Sequence, residues 1–113
     1  MKRRTKQRSM IQELGTEAIR RGADMIEVEY DEGYEDVYLR KDNVGITVAR
    51  FKASSSKAML LKKELYGLTK KKQRIAIENA LYEFSARVYD SFGEDAFRVQ
   101  LRRVYKGSPR ASR

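Results

Sequence analysis

The sequence contains no cysteine and no histidine, and it has a single proline among its 113 residues. Without cysteine there are no disulfides or thiolate nucleophiles, and without either residue the usual zinc sites and catalytic triads cannot form. Neither a P-loop nor a Gly-x-Gly-x-x-Gly dinucleotide loop occurs. We therefore expect a protein without enzymatic activity, cofactor or resident metal ion.

Long apolar runs are also missing, since the longest spans only four residues, 58–61. A membrane-spanning helix needs roughly 20 apolar residues, so we expect no membrane insertion. The basic start of the chain is not followed by an apolar stretch, which argues against a signal peptide. These features predict one cytoplasmic domain, of a length that can build its own core.

The positive charge is distributed unevenly along the chain. The net charge is +9, and ten basic residues without any acid fall in residues 1–8 and 102–113. The rest of the chain holds 15 basic and 16 acidic residues. We expect disordered basic arms at residues 1–8 and 106–113 around a single domain at 9–105. Charge at the ends weakens the simplest case for nucleic-acid binding, which requires a basic face on a rigid surface.

In the first half, apolar spacing predicts a helix and then three strands. Ser9 and Gln12 form a capping-box pattern at the start of the helix, and Gly22 marks its end. After the helix, apolar and polar residues alternate with a period of two, as in strands, and turn residues at 32–33 and 42–43 interrupt the alternation. The strands fall near residues 26–31, 36–40 and 44–52. Short connections make them an antiparallel meander.

In the second half, the pattern predicts two helices and one strand. A short helix ends at Tyr66, with Gly67 directly after it. Thr69 caps a longer helix that ends at Gly93 and carries an apolar stripe with spacings of three and four. The stripe consists of Ile77, Ala80, Leu81, Phe84 and Val88. A strand near residues 97–102 completes an α+β fold with a four-stranded, mostly antiparallel sheet (order α-β-β-β-α-α-β), with its helices on one face. No internal repeat is visible.

Residues 24–36 form an acidic segment with seven carboxylates and no basic residue. Carboxylates can ligate Mg²⁺ or Ca²⁺, but the EF-hand spacing is absent, and we predict no metal site. A solvated strand face is the ordinary alternative. Our hypothesis is a docking face for a basic partner, composed of Glu27, Glu29, Asp31, Glu35 and Asp36.

Residues 57–74 form the opposite feature, with seven basic residues and one acid, Glu64. A helix start near Lys70 could bind phosphate through its backbone N–H groups, and interleaved tyrosines suit single-stranded nucleic acid. A solvated helix surface is again the alternative. The predicted partner- or phosphate-binding set is Lys57, Lys62, Lys63, Lys70, Lys71, Lys72, Arg74, Arg98 and Arg102.

Residues 14–68 resemble the N-terminal domain that precedes the motor in type II secretion and type IV pilus assembly ATPases. Gly22, Ala23, Asp24 and Ile26 are similar to the Gly-Ala-Ser-Asp-Ile pattern at its helix-to-strand entry. Segments 37–44 and 58–68 are similar to its next strand and helix. Those segments read Val-Tyr-Leu-Arg-Lys-Asp-Asn-Val and Ala-Met-Leu-Leu-Lys-Lys-Glu-Leu-Tyr-Gly-Leu. The family's histidine, its Asp-Gly turn and the ATPase core are missing. The resemblance implies an adaptor-like domain that docks on proteins without catalysis.

The order α-β-β-β-α is also similar to the double-stranded RNA-binding domain, in which a helix start clamps phosphate. Ser55-Ser56-Lys57 carries this second resemblance, whereas the acidic hairpin departs from it. Our main hypothesis is an intracellular protein-interaction or regulatory module. The alternative is a sequence-nonspecific nucleic-acid-binding protein that uses the basic ends and residues 57–74. Self-association through opposite charges is a further expectation.

Overall fold

A computed structural model describes residues 9–105, so the basic arms predicted at 1–8 and 106–113 lie outside the described residues. Two helices and six strands follow one another in the described part. They are α1 Met10–Arg20, β1 Met25–Asp31, β2 Tyr34–Lys41, β3 Val44–Lys52, α2 Ser56–Lys70, β4 Gln73–Ile77, β5 Ala80–Ser91 and β6 Glu94–Val104. The strands form one sheet in the order β3-β2-β1-β6-β5-β4, and every neighbouring pair is antiparallel. Neither described helix is long and apolar enough to cross a membrane.

The architecture consists of two α-β-β-β units that share one sheet. Each unit is a helix followed by a three-stranded meander, and β1 and β6 join the units at the centre, with Val28 opposite Phe97. The two units share an element order but not an arrangement in the sheet, because the first strand of one unit pairs with the last strand of the other. The α+β class is confirmed, but the prediction of a four-stranded sheet is wrong, because the described sheet has six strands.

The error lies in the predicted helix from Thr69 to Gly93, which is the hairpin of β4 and β5 in the structure. α2 instead continues through Gly67 to Lys70. Glu78 and Asn79 both have positive φ angles, 50° and 69°, as a two-residue hairpin turn of type I′ requires. The apolar spacing in this segment fits a helix and a strand equally, since Ile75 and Ile77 are two residues apart, as the apolar residues of a strand are.

The helix and the three antiparallel strands predicted in the first half are confirmed. The Ser9 hydroxyl accepts a hydrogen bond from the Gln12 N–H at 3.1 Å and caps α1. The carboxylate of Glu64 on α2 reaches the same helix end, where it accepts the N–H groups of Met10 at 3.3 Å and Ile11 at 2.8 Å. The single acid of the basic segment therefore ties the two helices together, because a carboxylate at a helix N-terminus satisfies donors that lack a partner.

The core lies between the two helices and one face of the sheet. Phe84 of β5 and Phe97 of β6 are fully buried there, and Tyr66 of α2 meets Phe97 edge-on, with ring centroids 4.9 Å apart. α1 approaches the sheet closely at Gly15, where an added Cβ would lie 2.5 Å from Cζ of Phe84. The opposite face of the sheet has no described helix over it, and we call it the open face.

Gly15→Ala should lower the free energy of unfolding by about 1 to 2 kcal/mol, because the new methyl group overlaps the Phe84 ring. Gly67→Ala is the matched control, since it also lies in a helix and its Cβ would meet nothing within 4 Å. The control should stabilise the protein by about 0.5 to 1 kcal/mol through helix propensity. Urea unfolding of both variants measures the difference. Equal changes in the two variants would contradict the close packing at Gly15.

Candidate functional site

The open face carries a group of basic side chains at one end. The strand register places Arg87 opposite Arg98 and sets Arg98 beside Glu27, so that these three share the face. Arg74 and Arg102 lie on either side of Glu83 in a second row. We call the following set the basic half-face: Arg40, Lys72, Arg74, Arg87, Arg98 and Arg102.

Glu27 lies at the centre of the open face and is only 5 % exposed. Its carboxylate accepts hydrogen bonds from Nε of Arg40 at 3.1 Å and from Nε of Arg98 at 2.9 Å. The bond to Glu27 raises the pKa of Arg98. Since a guanidinium has five N–H donors and these bonds use Nε, the Nη groups remain as donors. The buried acid is thus covered by two half-exposed cations.

A second carboxylate joins two parts of the chain that are far apart in the sequence. The Glu83 side chain is 13 % exposed, lies 3.6 Å from Nζ of Lys72 and accepts a hydrogen bond from Nη2 of Arg102. The bond from Arg102 and the charge of Lys72 lower the pKa of Glu83. The end of the basic segment and the start of the basic C-terminal stretch therefore meet on the open face.

The far end of the open face has a more acidic rim. Arg50 of β3 donates to Asp36 at 2.7 Å and to Asp31 at 3.3 Å, and its guanidinium lies 4.3 Å from the centre of the Tyr34 ring. Tyr89 donates its hydroxyl hydrogen to Glu29 at 3.2 Å. Burial and then this acid raise the pKa of Tyr89. The two halves of the face thus differ in the charge that they present.

A depression lies within the basic half-face. Its volume is about 200 Å³. It is lined by Lys72, Glu83, Ser85, Gln100 and Arg102. Ser85 and Gln100 face each other across β5 and β6. Within residues 9–105, neither the Ser85 hydroxyl nor the Gln100 amide has a hydrogen-bond partner. The depression therefore offers uncharged donors and acceptors between cations.

The five carboxylates predicted as a docking face are not brought together on one surface. Glu27 and Asp36 lie on the open face but are buried beneath arginines. Glu35 belongs to the opposite, helix-covered face and is 2 % exposed. Glu29 and Asp31 remain at the acidic rim. That any of them binds a partner stays a prediction.

The predicted basic set is also divided. Lys57 and Lys63 are exposed on α2, which lies on the helix side of the sheet, whereas Lys72, Arg74, Arg98 and Arg102 reach the open face. The expected helix start at Lys70 is wrong, because α2 ends there and its N-terminus is at Ser56. Lys70 and Lys71 therefore have no helix N–H groups to place around a phosphate.

Glu35 is a buried carboxylate on the helix side, and its burial was not predicted from the sequence. Oε2 of Glu35 lies 3.5 Å from Nζ of Lys62, and Oε1 has no hydrogen-bond partner. Burial raises the pKa of Glu35 against the opposing charge of Lys62. The alternation with Val37 and Leu39, which places Glu35 on their face, was the signal that could have revealed it.

Comparisons with known proteins add no assignment. No protein-family model matches the chain, and a search of curated proteins returned no match. The resemblance of residues 14–68 to the secretion ATPase domain therefore stays a prediction. Among the described residues, no group of three or more acidic side chains is placed to hold a metal ion.

Proposed function

We propose that this protein binds nucleic acid through the basic half-face, by contacts to phosphate that do not depend on sequence. The observation that carries the proposal is the meeting of Lys72 and Arg102 on Glu83, on the same face as Arg40 and Arg98. It makes one basic surface from segments that looked separate in the sequence. A continuous basic surface is the electrostatic footprint expected of nucleic-acid binding.

On the basic half-face, exposed arginines cover nearly buried acids, and this arrangement supports contact with phosphate. The acids of the basic half-face are nearly buried, at 6 % side-chain exposure for Glu27 and 13 % for Glu83. The arginines above them are exposed, from 39 % for Arg40 to 70 % for Arg102. An approaching phosphate therefore meets guanidinium groups first, and their forked donors match its oxygens.

The described part of the chain ends near the basic half-face, at basic residues of β6. β6 ends at Val104, directly after Arg102 and Arg103, and three more basic residues follow in the sequence at 106–113. The protein-interaction hypothesis needs its five carboxylates on one accessible surface, and three of them are buried. Both the nucleic-acid-binding and the protein-interaction hypothesis describe a protein without catalytic activity.

The test is a titration of labelled RNA and DNA oligonucleotides with the full chain at several salt concentrations. We expect micromolar affinity near physiological salt and a steep loss of affinity as salt rises. The variant Arg74→Gln/Arg102→Gln should bind at least about tenfold more weakly, with a salt slope reduced by about two phosphate contacts. The control Lys57→Gln/Lys63→Gln removes the same charge from the helix side and should stay within about twofold of the wild type.

Three results would overturn the proposal. One is the absence of oligonucleotide binding by the wild type near physiological salt. Another is an equal loss of affinity in both double variants, which would show that net charge and not the basic half-face matters. The third is equally tight binding of a poly-glutamate peptide, which would favour an acidic protein partner.

A further inference from the structure

Two pairs of cations flank the depression on the open face. Arg98, Gln100 and Arg102 follow one another at alternate positions of β6, with Arg87 opposite Arg98. Lys72 stands beside Arg102 through their shared contact with Glu83. With a rise of about 3.3 Å per residue, the Cα atoms of Arg98 and Arg102 are about 13 Å apart. The uncharged groups of the depression lie midway between two cationic pairs.

Arg87 and Arg98 lie directly opposite each other, and this arrangement favours an anion bound between them. Like charges directly opposite in a sheet destabilise it, and no ion pair joins Arg87 to any residue from 9 to 105. Glu27 is already shared by Arg40 and Arg98 and neutralises them only in part. An anionic group between Arg87 and Arg98 would remove this repulsion.

We infer that the depression holds one nucleotide of an unpaired strand. This inference rests on the proposed function. Gln100 and Ser85 bind uncharged donors and acceptors of the base or sugar, and the phosphates on either side lie on Lys72 with Arg102 and on Arg87 with Arg98. The amide of Gln100 supplies both a donor and an acceptor, and it can therefore pair with a base edge.

The width of the sheet favours a single strand over a duplex. The major groove of DNA is about 12 Å wide and admits a helix or a two-stranded ribbon. Gln100 and Ser85 lie on β6 and β5, which have β1 and β4 on their outer sides. Four strands at about 4.8 Å spacing already span more than the groove. The bases of a duplex therefore stay out of reach, whereas an unpaired strand can lie across the face.

The test compares a single-stranded RNA oligonucleotide with a duplex of the same sequence, by fluorescence anisotropy on the full chain. The wild type should prefer the single strand by at least about tenfold. Ser85→Ala/Gln100→Ala should remove most of this preference while leaving duplex affinity and the salt slope unchanged, because only uncharged contacts are lost. Thr47→Ala/Gln73→Ala, at exposed polar positions of the edge strands, is the matched control and should behave as wild type.

The outcomes separate this inference from the proposed function. If Ser85→Ala/Gln100→Ala keeps the full single-strand preference while Arg74→Gln/Arg102→Gln loses affinity, the depression is not the nucleotide site and the basic half-face still binds nucleic acid. A wild type that binds single strand and duplex equally would overturn the inference in the same way. A wild type that binds neither the single strand nor the duplex would contradict both the inference and the proposed function.

Discussion

Lys62→Met should lower the free energy of unfolding by about 2 kcal/mol at pH 7, because it leaves the buried Glu35 carboxylate without its cation. Breaking a fully buried pair typically costs about 3–5 kcal/mol. We expect less here since the Lys62 side chain is 32 % exposed and water screens part of the attraction. Lys63→Met, at the neighbouring exposed position of α2, is the control and should change stability by less than about 0.5 kcal/mol.

Glu35→Gln should act in the opposite direction and rescue the lysine variant. Burial raises the pKa of Glu35, with further contributions from Glu94 and Asp36, so the folded protein disfavours the charged carboxyl. The neutral glutamine removes this cost and should raise the free energy of unfolding by about 1 kcal/mol at pH 7. In the double variant Lys62→Met/Glu35→Gln, the loss caused by Lys62→Met should largely disappear, because no buried charge is left unpaired.

The pH dependence of the free energy of unfolding follows from the raised pKa of Glu35. A raised folded-state pKa gives a stabilising contribution that is complete below the unfolded pKa and is lost as pH rises through the folded value. The advantage of Glu35→Gln over the wild type should therefore be largest at neutral pH and shrink on acidification toward the ordinary glutamate range. Urea unfolding of the four proteins between pH 4 and pH 8 measures it. An advantage that grows on acidification would contradict the assigned shift of the Glu35 pKa.

Glu27→Gln should lower stability and strengthen nucleic-acid binding in the same protein. The carboxylate holds Arg40 and Arg98 by two charge-assisted hydrogen bonds, and its loss should cost about 2 kcal/mol of unfolding free energy. The two arginines then face each other's charge without a counterion. Oligonucleotide affinity should rise by about three- to tenfold, since the variant has one acid fewer beneath the phosphate contacts.

Glu29→Gln separates a local effect from a change in net charge. Glu29 carries the same charge on the same strand but lies at the acidic rim, where it accepts a hydrogen bond from the hydroxyl of Tyr89. We expect the affinity of the Glu29→Gln variant for oligonucleotides to stay within about twofold of that of the wild type. The measurements are urea unfolding and the same salt-dependent titration. Unchanged or weaker binding by Glu27→Gln would mean that Arg40 and Arg98 do not contact phosphate.

The sequence by itself determined the elements whose signals are local. α1 follows from the Ser9 cap and its apolar spacing, and the three-stranded meander follows from a period of two broken by turn residues such as Glu32-Gly33. Both residues of that turn have positive φ angles in the structure. The α+β class needed only these short-range patterns.

The tertiary structure decided the second half of the fold, because residues 73–91 satisfy helix and strand periods together. Glu78 and Asn79 are an uncommon pair for a tight hairpin turn, and pairing with β6 is what selects the strand. The candidate site depended on the same choice. Lys72, Glu83 and Arg102 meet only when β4, β5 and β6 lie side by side. Arg40 and Arg98 both reach Glu27 only because β1 lies between β2 and β6. Such contacts depend on strand order and register, which neighbouring residues in the sequence do not specify.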